Sequence, residues 1–160
     1  MVLIGLIMIY ILFKPMHIEQ QEFTDVPLFE LSDFNIYELS EKGLTNIMIG
    51  AKATRYNDRY TVTQIDYTDN SRNYIANMKA KEGLYRDDII DLDGDVIYTR
   101  EDGLTFSSKS VTYNKKTSIA FVEGDYISYR GNDKITGTAL EYNNLLNRVK
   151  SKNVVANYNF

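Results

Sequence analysis

Four tyrosines, Tyr56, Tyr85, Tyr113 and Tyr142, recur at a near-constant spacing, and each is followed by two turn-prone residues. The followers are Asn57-Asp58, Arg86-Asp87, Asn114-Lys115 and Asn143-Asn144. Asn and Asp bond to nearby backbone and tolerate left-handed conformations, so such pairs reverse a chain at little cost. Five positions before each tyrosine lies a small residue: Ala51, Ala80, Ser108 and Gly137. A period of this length, in units too small to bury their own faces, predicts stacked β units.

A second turn falls after Tyr85 at Gly103 and, at the same offset after Tyr113, at Gly131, which gives two strands per repeat. Between turns the pattern alternates. Tyr74, Ala76, Met78 and Ala80 share one face, and Ile90, Leu92, Gly94, Val96 and Tyr98 share another. The turns are too short for the crossovers that parallel neighbours need, so the strands run as an antiparallel meander. Leu92-Asp93-Gly94-Asp95 returns one repeat later as Val122-Glu123-Gly124-Asp125, and glycine inside a strand marks a bulge or a bend. The expected fold is all-β: a twisted antiparallel jelly roll or folded-over meander, closing as a jelly roll or a flattened barrel because no helix is available to cover it.

Residues 2 to 13 are uninterrupted apolar, and Lys14-Pro15 ends the run. As a helix it would reach roughly 18 Å, against a bilayer core of about 30 Å. No basic stretch precedes it and no small-x-small cleavage pattern follows it, which favours an uncleaved anchor over a signal peptide. The organisation expected is an N-terminal membrane helix over residues 1–14, a tether over 15–27 containing Pro15 and Pro27, and a β domain over 28–160.

Composition narrows the chemistry. A formal charge of −4 leaves no basic stripe for phosphates, so no nucleic-acid partner is expected. Without a cysteine there is no disulfide, thiol nucleophile or Cys-type zinc site. His17 is the one histidine and sits in the tether, so no Ser-His or Cys-His pair can form. Gly-x-Ser-x-Gly, phosphate-loop and zincin patterns are missing. Asp91, Asp93 and Asp95 suggest a calcium loop, but the EF-hand register fails, with Val96 at the glycine position and Asp102 at the glutamate position. No catalytic residue, metal or cofactor is assigned.

The apolar residues expected on the inner face are Ile47, Ile49, Met78, Leu92, Val96, Tyr98, Leu104, Phe106, Phe121 and Tyr126. Two readings stand: these side chains fill the interior, or they line an apolar trough that holds a lipid.

The apolar N-terminus, the tether, a β region entered at Gly43-Leu44, Ala or Ser before Tyr, and Gly-Asp before the next strand together resemble the LptC family of lipopolysaccharide transport, across nearly the whole chain. The repeats look like the OstA-type units shared with LptA. The resemblance implies a non-enzymatic protein with a single-pass anchor in the inner membrane and a β domain in the periplasm. It implies that lipopolysaccharide is received from an inner-membrane ABC transporter and passed to the periplasmic protein LptA. On that reading the last strand, with Val154, Val155, Ala156, Tyr158 and Phe160, docks LptA edge to edge. The first strand, with Phe29, Leu31, Phe34 and Ile36, faces the transporter. Alternatives are a soluble shuttle of the LptA type, a structural β module with a filled core, and a carbohydrate-active enzyme.

Overall fold

The computed structural model describes residues 25–41, 43–71 and 73–158, and the expected anchor, His17 and most of the tether lie outside them. The described chain is one sheet of nine antiparallel strands in sequence order. They are β1 (Phe29–Ser40), β2 (Gly43–Arg55), β3 (Tyr60–Asp69), β4 (Ala76–Arg86), β5 (Ile89–Arg100), β6 (Leu104–Asn114), β7 (Ile119–Arg130), β8 (Asp133–Asn143) and β9 (Arg148–Asn157). Each strand pairs only with its neighbours in the chain. The sheet therefore does not close as a barrel: among the described residues, β1 and β9 each keep one edge without a strand.

The tyrosine recurrence marks strand ends as expected. Tyr85, Tyr113 and Tyr142 each stand one residue before the end of β4, β6 and β8, and Tyr56 follows the end of β2. Cross-strand pairing joins Tyr60 to Tyr85, Ile90 to Tyr113 and Ala120 to Tyr142, so these residues form one row across the sheet. Tyr56 is not in it. Its ring lies 4.1 Å from the Arg59 guanidinium, and Tyr60 takes its place in the row. The opposite turns fall at Gly103 and Gly131, whose φ angles of 86° and 60° need a residue free to adopt the left-handed region.

Strands of 10 to 13 residues are long. Each is interrupted near its middle. In the odd strands β1, β3, β5 and β9 the break carries a left-handed residue: Asp33 (φ 48°), Gln64 (φ 54°), Asp95 (φ 53°) and Asn153 (φ 50°). In β7 a register shift between Val122 and Asp125 holds the same place. A left-handed residue or a register shift within a strand bends it and can move the alternation by one. Thus Val62 and Ile65, three apart on β3, both pack into the same core.

The core follows these breaks. Directly after the breaks in β1, β3, β5 and β7 comes a large apolar side chain: Phe34, Ile65, Val96 and Tyr126 are all buried, Val96 to 2% exposure. Each pairs across to a small residue on the next strand: Phe34 with Gly50, Ile65 with Ala80, Val96 with Ser108 and Tyr126 with Gly137. Three of the four small residues that precede the tyrosines are therefore slots under a bend residue, and the first slot is Gly50, not Ala51. Space in them is tight. A methyl group at Gly50 would stand 2.6 Å from the Phe34 ring, one at Gly137 2.7 Å from the Tyr126 hydroxyl, and one at Gly83 2.5 Å from Ile65 Cδ1.

Candidate functional site

Pairing and burial identify the inner face of the bent sheet. Along one half run Ile36, Met48, Tyr67, Met78, Tyr98 and Phe106, paired strand to strand from β1 to β6. The core of Ile65, Ala80, Leu92 and Val96 lies next to this row, with Val62, Ile90 and Val111 on the other half of the same face. Phe106 and Tyr126 stack with centroids 5.6 Å apart. Of the residues expected inside, Met78, Leu92, Val96, Tyr98, Phe106 and Tyr126 share this face, and Leu104 lies in phase with Phe106.

Ile47, Ile49 and Phe121 do not. Ile49 pairs with Asn35 and Asp66, and Ile47 with Tyr37 and Thr68, all on the outer face. The break in β2 between Gly50 and Ala53 moves the phase, so alternation carried through it unbroken assigns the wrong residues; Met48 and Gly50 are the inward ones. Phe121 is 42% exposed and pairs with Thr112 and Glu141. It sits in the apolar run from Ile119 to Val122, which has no alternation to set its phase, and Val122 takes the buried slot at 2% exposure. Gly94 also leaves the face assigned to it, since a methyl there would meet the Lys81 stem.

Met48, Tyr67 and Ile65 belong to this face although alternation does not single them out. The signal that finds the bend residues is a left-handed-tolerant residue followed by a large apolar one, repeated as Asp33-Phe34, Gln64-Ile65, Asp95-Val96 and Asp125-Tyr126.

The outer face mixes ion pairs with exposed apolar side chains such as Ile49, Ile97 and Phe121. Lys79 holds Asp66 at 3.0 Å, Lys81 holds Asp95 at 2.5 Å and Lys52 holds Glu30 at 2.8 Å. Asp91 accepts a hydrogen bond from the Thr112 hydroxyl at 2.7 Å. At the β5–β6 turn the Arg100 guanidinium donates to both oxygens of Asp102, and Arg130 adds a contact at 3.1 Å. Hydrogen bonding from Arg100 is the main cause that pulls the Asp102 carboxyl down to about 2. The effect raises Arg100 above the usual guanidinium value. These pairs fasten neighbouring strands and their turns.

The edges differ. On β9, Val154 and Val155 are more than half exposed, as is Tyr158 just beyond it; Phe160 lies outside the described residues. On β1, Phe29 and Ile36 are exposed and Leu31 is partly covered. Phe34 is not available to an outside partner, because its ring is buried over Gly50.

Among the described residues, a bent, open sheet with an apolar inner face, an ion-paired outer face and two unpaired edges is built to handle or assemble something along its length. Residues 1–159 match the family described as "Lipopolysaccharide-assembly, LptC-related". That places the chain among the envelope proteins of lipopolysaccharide export. It belongs to the LptC family, a component of lipopolysaccharide transport not known as an enzyme. No curated protein matches the chain.

Proposed function

We propose that the inner face of the sheet holds the acyl chains of lipopolysaccharide in transit, and that this chain receives the lipid from an inner-membrane ABC transporter and passes it to an LptA-like periplasmic protein. The observation that carries this reading is the unbroken apolar row from Met48 through Tyr67, Met78 and Tyr98 to Phe106, on a sheet with both edges open. A twelve-carbon acyl chain has about 10 kcal/mol of gross transfer energy at about 0.8 kcal/mol per methylene. A face of this kind exchanges that burial with the bilayer and so adds no net drive. Directional movement then belongs to the nucleotide-driven transporter. Residues 1–14 act as a single-pass anchor in the inner membrane, β1 meets the transporter through Phe29, Leu31 and Ile36, and β9 pairs with the LptA-like protein.

The filled-core alternative draws on Val96 and Val122, at 2% exposure, and on Ile65 seated over Gly83. The two readings separate by photo-crosslinking. Crosslinkers at Met78, Tyr98 and Phe106 are expected to capture lipopolysaccharide, while those at Ile49 and Phe121 on the outer face are expected to stay silent. Equal labelling of both faces, or of neither, removes the trough.

A further inference from the structure

Within the chain one packing unit recurs four times. A break in an odd strand is followed by a large apolar residue, and that residue pairs with a Gly, Ala or Ser on the next strand: Phe34 with Gly50, Ile65 with Ala80, Val96 with Ser108, Tyr126 with Gly137. The bend residues follow each other at near-constant intervals, one per pair of strands. Val154 on β9 continues the series at a slightly shorter step after Tyr126. It has the same local structure, since Asn153 before it is left-handed at φ 50°. It also has the same facing: Val154 is in phase with Ala156, which pairs with Ile135 on the inner face.

One component is missing at this fifth unit. The other four bend residues are at most 7% exposed, whereas Val154 is 51% exposed, because β9 is the last strand among the described residues and none beyond it supplies the small slot. A large side chain opposite a bend residue is what the internal units exclude. At Gly50 and Gly137 even a methyl group would come within 2.7 Å of the bend residue's ring or hydroxyl. Crowding of that kind strains both strands.

We infer that the strand that extends this sheet at β9 carries a glycine, alanine or serine opposite Val154, so that Val154 acts as the register-setting residue of the joint. This deepens, and rests on, the proposal that a partner docks on β9. Backbone pairing alone tolerates slippage by two residues, which keeps each side chain on its face. A single small slot under a bend residue removes that freedom, because only one register avoids the clash. The four internal pairs give the size rule directly, and the joint is then a fifth copy of the unit, completed by two chains.

The absence of cysteine makes the test direct, since Val154→Cys in the full chain introduces a unique thiol. The probe is the LptA-like protein with single cysteines scanned along its edge strands, trapped by oxidation, followed by binding titrations. The expected result is a crosslink maximum at or beside a Gly, Ala or Ser. Changing that residue to Leu should weaken binding about tenfold or more, in the range overpacking produces. Leu two positions away on the partner strand should leave binding within about threefold of wild type. Trapping on β9 at a large residue, or a harmless Leu at the small one, overturns the register rule and leaves edge docking in place. If neither Val154→Cys nor a second thiol at Lys152→Cys traps the partner, and circular dichroism shows both variants folded, the docking reading fails and this inference with it.

Discussion

The Tyr126 hydroxyl donates to Ser151 Oγ at 3.0 Å, reaching across Gly137 to tie β7 to β9 over the strand between them. Ser151 in turn donates to the Thr138 carbonyl at 3.0 Å. The last strand is therefore held by more than its ladder with β8, and the glycine in the middle is what lets the tyrosine lie flat.

Gly137→Val is expected to destabilise the protein by about 1–3 kcal/mol, because the new side chain must displace the Tyr126 ring. Gly124→Ala is the control: a methyl there meets nothing within 4 Å, and a change under about 0.5 kcal/mol is expected. Denaturant midpoints followed by circular dichroism report both. Equal midpoints for the two variants would show that the slot is not tight in solution.

Val96 and Phe121 reverse the usual expectation from size. Truncating Val96, 2% exposed, to Ala should cost about 1–3 kcal/mol through lost burial and the cavity left behind. Phe121→Ala removes a larger side chain, yet one 42% exposed beside Glu141 and Thr112, and about 1 kcal/mol or less is expected. Thermal or chemical unfolding ranks them, and a costlier Phe121→Ala would contradict the face assignment.

Gln64 holds a left-handed conformation that side chains branched at Cβ avoid. Gln64→Val is expected to lose about 1–2 kcal/mol from backbone sterics, whereas Gln64→Gly should stay within about 1 kcal/mol of wild type. If valine is as stable as glycine there, the bend in β3 does not depend on that residue's φ.

Asp102 makes a prediction in pH. Its carboxyl is pulled down to about 2 by Arg100, with Arg130 adding attraction, so the folded state binds its proton less readily than the unfolded chain, where the value is about 4. The stability it contributes is fully present above pH about 4 and is lost as pH falls toward 2. Wild type and Asp102→Asn should therefore differ in unfolding midpoint at pH 6 and converge near pH 2. A constant gap across that range would remove the ion pair as its cause.

Turns and antiparallel order are legible in the sequence because turn residues and alternation are local signals. Tyr85, Tyr113 and Tyr142 close their strands, and Gly103 and Gly131 turn the chain. Phase is legible only between breaks. Alternation points Ile47 and Ile49 inward because the change of phase along β2, from Met48 and Gly50 to Ala53, comes with no mid-strand register shift and no left-handed residue on that strand. Gly94 announces a bulge, yet the residue itself turns outward to Lys81. Closure escapes the sequence for a different reason: hydrophobic pattern says that a sheet must cover its apolar face, and a bend filled by Phe34, Ile65, Val96 and Tyr126 does so with both edges left open. Edge chemistry on β1 is half legible, since Phe29 and Ile36 are exposed while Phe34 serves the bend.

Because every strand's partners are its neighbours in sequence, the sheet contains, among the described residues, no strand pairing that must wait for a distant part of the chain. The entropy of loop closure is small at each step, so this protein should fold quickly for an all-β chain, with any hairpin able to serve as the starting point and growth proceeding in either direction. The same locality means that damage in one hairpin weakens its two neighbours first and reaches the far edge only through them.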